Sequence, residues 1–84
     1  MTPEEIRRIL VDTLGTIAPE ADASGLDPKA DIREGLDIDS LDFLNFVIAL
    51  HGRLHVDVPE TDYPRLFTLG GAVDYLMEKT SPPK

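Results

Sequence analysis

No cysteine occurs anywhere in this chain of 84 residues, and that absence constrains its fold more than any other feature. A chain this short buries only a modest share of its surface. Small domains with thin cores commonly compensate with disulfides or a thiolate-bound metal. Neither is open here, so one core of packed helices must supply the stability. The expectation is a single domain over residues 1–84, with 81–84 as a flexible tail and no metal site. A cysteine nucleophile is excluded, and the natural compartment is the reducing cytoplasm.

The N-terminus, Met1-Thr2-Pro3-Glu4-Glu5, is polar and acidic, where an export signal needs a basic start and an apolar stretch. The longest nearly apolar run, Phe43 to Leu50, is interrupted by Asn45 and falls well short of the roughly 20 residues that span a bilayer. Membrane insertion is therefore not expected. Sixteen acidic against eight basic residues give a net charge of -8, which repels nucleic-acid phosphates and favours encounter with basic protein surfaces. Acidity that serves only solubility is the plain alternative.

Hydrophobic spacing predicts an all-α chain. A first helix is signalled by Thr2 as N-cap, Pro3 at the first helical position and Glu5 completing a capping box. Ile6, Ile9, Leu10, Leu14 and Ile17 then recur at helical spacing, with an end between Gly15 and Pro19. Pro19 to Asp39 reads as a long ordered loop with Leu26, Ile32, Leu36 and Ile38 as apolar anchors. Structureless loops beyond about 12–15 residues are uncommon in compact domains and are often functional.

A second helix opens at Asp39-Ser40-Leu41-Asp42 and runs toward Gly52 or Leu54. Asp39 is its expected cap, and Asp42 complements the dipole in its first turn. Its apolar residues form two adjoining groups, Leu44, Val47 and Ile48 beside Phe43, Phe46 and Leu50. Such a helix is central to a bundle or offers a spare face to a partner. Leu54, Val56 and Val58 alternate as in a strand but have no partner strand, which indicates an extended connector. Pro59 to Leu66 suggests a short third helix made irregular by Pro64. A last helix follows Thr68, with Leu69, Ala72, Val73 and Leu76 on one face and Lys79 near its negative end.

Chemical interest centres on Ser40, a hydroxyl at a helix start after a long loop and flanked by Asp37, Asp39 and Asp42. Backbone N–H groups and the dipole at such a position favour an attached phosphate. A serine is also simply a good residue for starting a helix.

The segment Asp39-Ser40-Leu41-Asp42 resembles the D-S-L motif of acyl and peptidyl carrier proteins. Leu36, Val47, Ala49, Leu50, Val58-Pro59-Glu60, Thr68, Ala72, Val73, Tyr75 and Leu76 match family positions in order and spacing, so the likeness covers nearly the whole chain. The resemblance implies an acyl-carrier-like four-helix bundle of three main helices and one short one, with no catalytic residue of its own. It implies that Ser40 receives 4'-phosphopantetheine from coenzyme A through a magnesium-dependent phosphopantetheinyl transferase. The arm's thiol would then hold acyl groups as thioesters while the carrier docks on synthases, acyltransferases or ligases. Asp39, Leu41, Asp42, Ile48 and Val58 match motif or partner-contact positions. Phe46, Val47, Ile48 and Leu76 are candidates for lining an acyl cavity, with ordinary core as the competing reading for each.

This chain also departs from the family pattern. Asn45, His51, Gly52 and Arg53 stand where fatty-acid carriers have glutamates, and Gly35-Leu36-Asp37-Ile38-Asp39 lacks the glycine that precedes the motif. Both features point toward a specialised pathway. A calcium loop fails in either register, with Arg33 or Leu41 at a ligand position. A serine hydrolase fails because His51 lies three turns from Ser40, about 16 Å along the axis. An aminoacyl or peptidyl carrier, or an unmodified helical adaptor, remain as alternatives. A monomer is expected.

Overall fold

The structure, a computed structural model, describes residues 2–80; the tail expected at 81–84 lies outside the described residues. Helix α1 spans Pro3–Ile17. The Thr2 hydroxyl oxygen accepts from the Glu5 N–H at 3.2 Å, which forms the N-cap half of the expected capping box, and the Glu5 carboxylate reaches back to the Thr2 hydroxyl, accepting at 3.1 Å. Ile6, Leu10 and Leu14 are buried, while Ile9 and Ile17 are half-buried. Thr13 joins the core unforeseen. Its hydroxyl donates to the Ile9 carbonyl at 2.6 Å, which satisfies the polar group within the helix and lets it be buried.

The segment expected as a loop over 19–39 contains two short elements that its spacing did not reveal. A 3-10 turn covers Ala23–Gly25, and a single-turn helix, α2, covers Ile32–Gly35. Each is nucleated by an aspartate. Asp31 accepts from the N–H groups of Arg33 and Glu34 at 2.8 and 3.4 Å, and Asp22 caps Ser24 at 3.1 Å. One turn is too short to show a helical hydrophobic period. The segment is pinned to the later chain: Ile32 N–H donates to the Phe67 carbonyl at 2.7 Å, and Gly70 N–H to the Pro28 carbonyl at 2.9 Å. Ile32, Leu36 and Ile38 anchor it in the core, with Leu26 half-buried.

Asp37 closes this segment with φ of 54°, in the left-handed region that costs a non-glycine residue about 1–2 kcal/mol. Aspartate is among the few side chains that tolerate it. Asp37→Val is therefore expected to lower stability by about 1–2 kcal/mol, and Asp37→Gly to leave it equal or raise it. Paired thermal melts read both; a valine variant as stable as the parent would contradict the strain argument.

Helix α3, Ser40–Leu54, is capped by Asp39, which accepts from the Asp42 N–H at 2.8 Å. It ends where His55 turns left-handed and donates its N–H to the His51 carbonyl at 2.9 Å. The two apolar groups divide differently from expectation. Val47 is buried with Phe43, Phe46 and Leu50, whereas Leu44 and Ile48 face outward with Leu41. Helical rows explain this: Val47 lies four residues after Phe43 and three before Leu50, while Leu41, Leu44 and Ile48 share their own row.

After the left-handed His55, the chain through Pro59 forms no regular element, consistent with the expected connector, with Pro59 itself extended, and a 3-10 helix follows over Glu60–Leu66 with Pro64 inside it. Helix α4 spans Leu69–Thr80. Thr68 acts as its cap, accepting from the Gly71 N–H at 3.0 Å. A Cβ at Gly71 would lie 2.8 Å from both the Arg65 carbonyl oxygen and Thr68 Oγ1, so glycine allows that close approach. Helix α1 packs against both α3 and α4, and the 3-10 helix packs on α4. The expected bundle of three main helices with an irregular third element thus stands, with α2 added. Among the described residues no helix is long and apolar enough to cross a membrane.

On α4 the expected core face shifts by one position: Leu69, Ala72 and Leu76 are buried together with Tyr75, and Val73 is only half-buried. The Tyr75 hydroxyl donates to Asp62 Oδ2 at 2.7 Å, tying α4 to the 3-10 helix. Burial, reinforced by the Asp62 carboxylate, pushes the phenol up to about 12. The folded state therefore holds this proton more tightly than the unfolded chain, whose phenol titrates near 10. The resulting stability is fully present below about pH 10 and is lost as pH rises toward 12. Tyr75→Phe is expected to cost about 0.5–1.5 kcal/mol at neutral pH and to flatten the alkaline decline. Urea titrations of both proteins at neutral and alkaline pH measure this.

Candidate functional site

Ser40 is the first residue of α3 and is exposed. Its placement follows from the local sequence. The left-handed Asp37 turns the chain, Ile38 is buried beneath it, and Asp39 takes the extended cap conformation, leaving the next side chain at the surface. Among the described residues the Ser40 hydroxyl has no hydrogen-bond partner. Since Asp39 already caps the helix by accepting from the Asp42 N–H, Ser40 is not needed as a cap.

Ser40 opens onto a groove of about 410 Å³ lined by Arg33, Phe43, Leu44, Glu60, Tyr63 and Phe67. The Phe43 ring meets Phe67 edge-on at 5.3 Å and Tyr63 at 6.1 Å between centroids. The Arg33 guanidinium lies over the Phe67 ring, 3.8 Å from its centroid, and bridges to Asp31 Oδ2 at 3.1 Å. The Arg33 hydrogen bond holds the Asp31 carboxyl below its ordinary value, and Asp31 in turn raises the guanidinium. These aromatic walls went unnoticed in the sequence. Phe67 and Tyr63 come from beyond the connector, and only the backbone bonds that seat Ile32 against Phe67 bring them beside Ser40.

The other sequence candidates fall into three places. Asp39 and Asp42 form the cap of α3. Leu41 and Ile48 are 65% and 58% exposed, which leaves them free for contact. Val58 is half-buried in a second groove of about 550 Å³ with Val47, Ile48, His51 and Tyr63. Phe46 and Leu76, named as cavity candidates, are fully buried in the packed core, whereas Val47 also borders that second groove. His51 lies at the far end of α3, its Nδ1 3.0 Å from the Val56 carbonyl oxygen and 3.3 Å from Asp57, and so has no geometric relation to Ser40. Among the described residues no three His, Asp or Glu side chains converge as a metal-holding group.

Comparison with known proteins bears directly on this arrangement. The family described as "Phosphopantetheine attachment site" matches residues 4–76. An acyl carrier protein from Picosynechococcus sp. is 32% identical over 77 residues, 92% of this chain and 89% of the relative. One from Rubrobacter xylanophilus is 32% identical over 75 residues, 89% and 86% respectively. Among solved structures, the acyl carrier protein from Enterococcus faecalis superposes with a TM-score of 0.71 at 27% identity, covering 94% of this chain and 99% of that one. The chain therefore belongs to the phosphopantetheine-attachment family of acyl carrier proteins, whose members bear a covalently attached 4'-phosphopantetheine.

Proposed function

We propose that this chain, as a single carrier domain, transports acyl intermediates as thioesters on an arm attached to Ser40. The observation that carries this reading is the exposed Ser40 hydroxyl at the first residue of α3, without a hydrogen-bond partner among the described residues. The residues fit the group. The hydroxyl is open to a transferase, a helix N-terminus tolerates the resulting phosphodiester, and a groove begins where the arm would leave. In the loading step the Ser40 oxygen forms a bond to the phosphorus of the phosphopantetheinyl group. The pyrophosphate bond of coenzyme A breaks, its adenosine-bearing half leaves, and the hydroxyl proton departs to base or solvent.

When bound, the arm supplies the thiol that holds cargo. The chain's own contribution is to keep that thiol tethered at high effective concentration and to dock. It has no catalytic machinery in this reading. Leu41, Leu44 and Ile48 form the exposed apolar row next to Ser40, and they are the proposed contacts for synthases, acyltransferases or ligases, with Asp39 and Asp42 giving charge complementarity at the loading end. The reading places the protein in the cytoplasm. Fatty-acid, polyketide and other lipid pathways all use such carriers; Asn45, His51, Gly52 and Arg53 on α3 favour a specialised one.

The same exposed row supports a second reading, an adaptor that binds a partner without modification. Incubation with coenzyme A, magnesium and a broad-specificity phosphopantetheinyl transferase separates the two. The carrier reading expects a mass gain of one phosphopantetheinyl group; a folded protein that several such transferases leave unchanged would favour the adaptor.

A further inference from the structure

We propose that the N-terminal half of α1 and the start of α4 form a second docking surface, which binds an acidic segment of a partner protein through Arg7, Arg8 and Val73 while Ser40 stays free. The proposal goes beyond carriage of the arm and does not depend on it. Its first support is the pattern of charge. In a chain of net charge -8, most cations among the described residues are engaged. Arg33 pairs with Asp31, Arg53 with Asp12 and Arg65 with Glu78, and Lys79 lies over the Tyr75 ring. Arg7, Arg8 and Lys29 are exposed and form no ion pair among the described residues.

Shape is the second support. Arg7 and Arg8 border a groove of about 590 Å³ with Val11 and Glu4, where the other carboxylate, that of Asp12, is already held by Arg53 at 2.7 Å. Arg7 and Glu4 also line an adjoining groove of about 290 Å³, whose walls are chiefly the apolar Pro3, Pro28, Leu69 and Val73. Pro3 and Pro28 are exposed and Val73 is only half-buried, and Lys29 directly follows Pro28. Asp74 and Glu4 disfavour a carboxylate in this smaller groove. Side by side, the two grooves therefore call for apolar side chains against Pro3, Pro28 and Val73 and for carboxylates on Arg7 and Arg8. A segment with apolar residues next to acidic ones supplies both. The remaining acidic surface repels such a segment, so charge directs where it docks. Neither groove shares a residue with the one that opens at Ser40. Ile17, near the C-terminal end of α1, borders Asp42 at the start of α3, whereas Arg7 lies about 15 Å earlier along the axis of α1. A partner held at Arg7 leaves Ser40 and the apolar row of α3 open, and it raises the local concentration of carrier.

Amide NMR titration of the full chain with a capped synthetic peptide of leucines followed by glutamates tests this. Shifts are expected at Arg7, Arg8, Lys29 and Val73 and not at Leu41 or Ile48, with affinity falling as salt rises. Arg7→Glu combined with Arg8→Glu, at exposed positions and shown by its amide spectrum to be folded, should abolish those shifts while leaving arm uptake equal to that of the parent. The same peptide with glutamine in place of glutamate should not bind. No shifts at millimolar peptide, shifts confined to the row of Leu41 and Ile48, or equal binding of the glutamine peptide would overturn the proposal. Binding to vesicles of anionic phospholipid, with none to the peptide, would also overturn it and assign the surface to lipid.

Discussion

Phe46→Ala is expected to destabilise the bundle by about 3–5 kcal/mol, the largest effect on folding among the changes considered. Phe46 is fully buried on α3 and packs against the Phe43 ring at 6.0 Å between centroids. Domains of ordinary stability have about 5–15 kcal/mol in total, and a cysteine-free chain of 84 residues has no crosslink to fall back on. Much of the stability should therefore be lost, and at physiological temperature the unfolded fraction should become substantial. Urea unfolding followed by far-ultraviolet circular dichroism measures this. Leu41→Ala, on the same helix but 65% exposed, serves as control and should stay within about 0.5 kcal/mol of the parent. Equal losses in the two variants would contradict the assignment of faces on α3.

Ser40→Ala should have the opposite profile, a complete loss of arm uptake with almost no change in stability. The helix start does not depend on the serine, because Asp39 supplies the cap bond to Asp42 and alanine is the best helix former at an exposed helical position. The hydroxyl also gives up no hydrogen bond to the described residues on removal. Thermal melts of the two proteins should nearly coincide, while a transferase reaction that modifies the parent to completion should leave the variant at its unmodified mass.

The elements legible in the sequence were those whose signals are local and repeated. The Thr2-Pro3-Glu5 start, the Asp39 cap and the Thr68 cap each rest on side-chain chemistry that acts within three residues, and each bond is present. Pro64 announced its irregular 3-10 helix because a proline there breaks α-helical bonding. Less legible was anything decided by packing between distant segments. Helix α2 is a single turn held by Asp31 and by the Phe67 carbonyl, and neither leaves a hydrophobic period to read. Val47 and Tyr75 moved into the core because α1 and the 3-10 helix cover particular rows of α3 and α4, which the sequence of either helix alone does not specify.

The site divides along the same line. Ser40 and its aspartates stood out because they are contiguous, and the left-handed Asp37 explains why a glycine is the more usual residue in that position for such a turn. The groove did not stand out because its walls come from α2, α3 and the segment 60–67. Nothing in the sequence around Arg33 marks it as a site residue; its stacking on Phe67 and its bond to Asp31 are what place it beside the serine.

Attachment of the arm is expected at Ser40 and nowhere else, although the chain also contains Ser24 and Ser81. Fragment masses of the protein after the transferase reaction test this most directly. The phosphopantetheinyl mass is expected on the fragment containing Ser40, with fragments containing Ser24 and Ser81 unmodified and no modification in Ser40→Ala. Modification of another serine, or uptake that persists in Ser40→Ala, would contradict it.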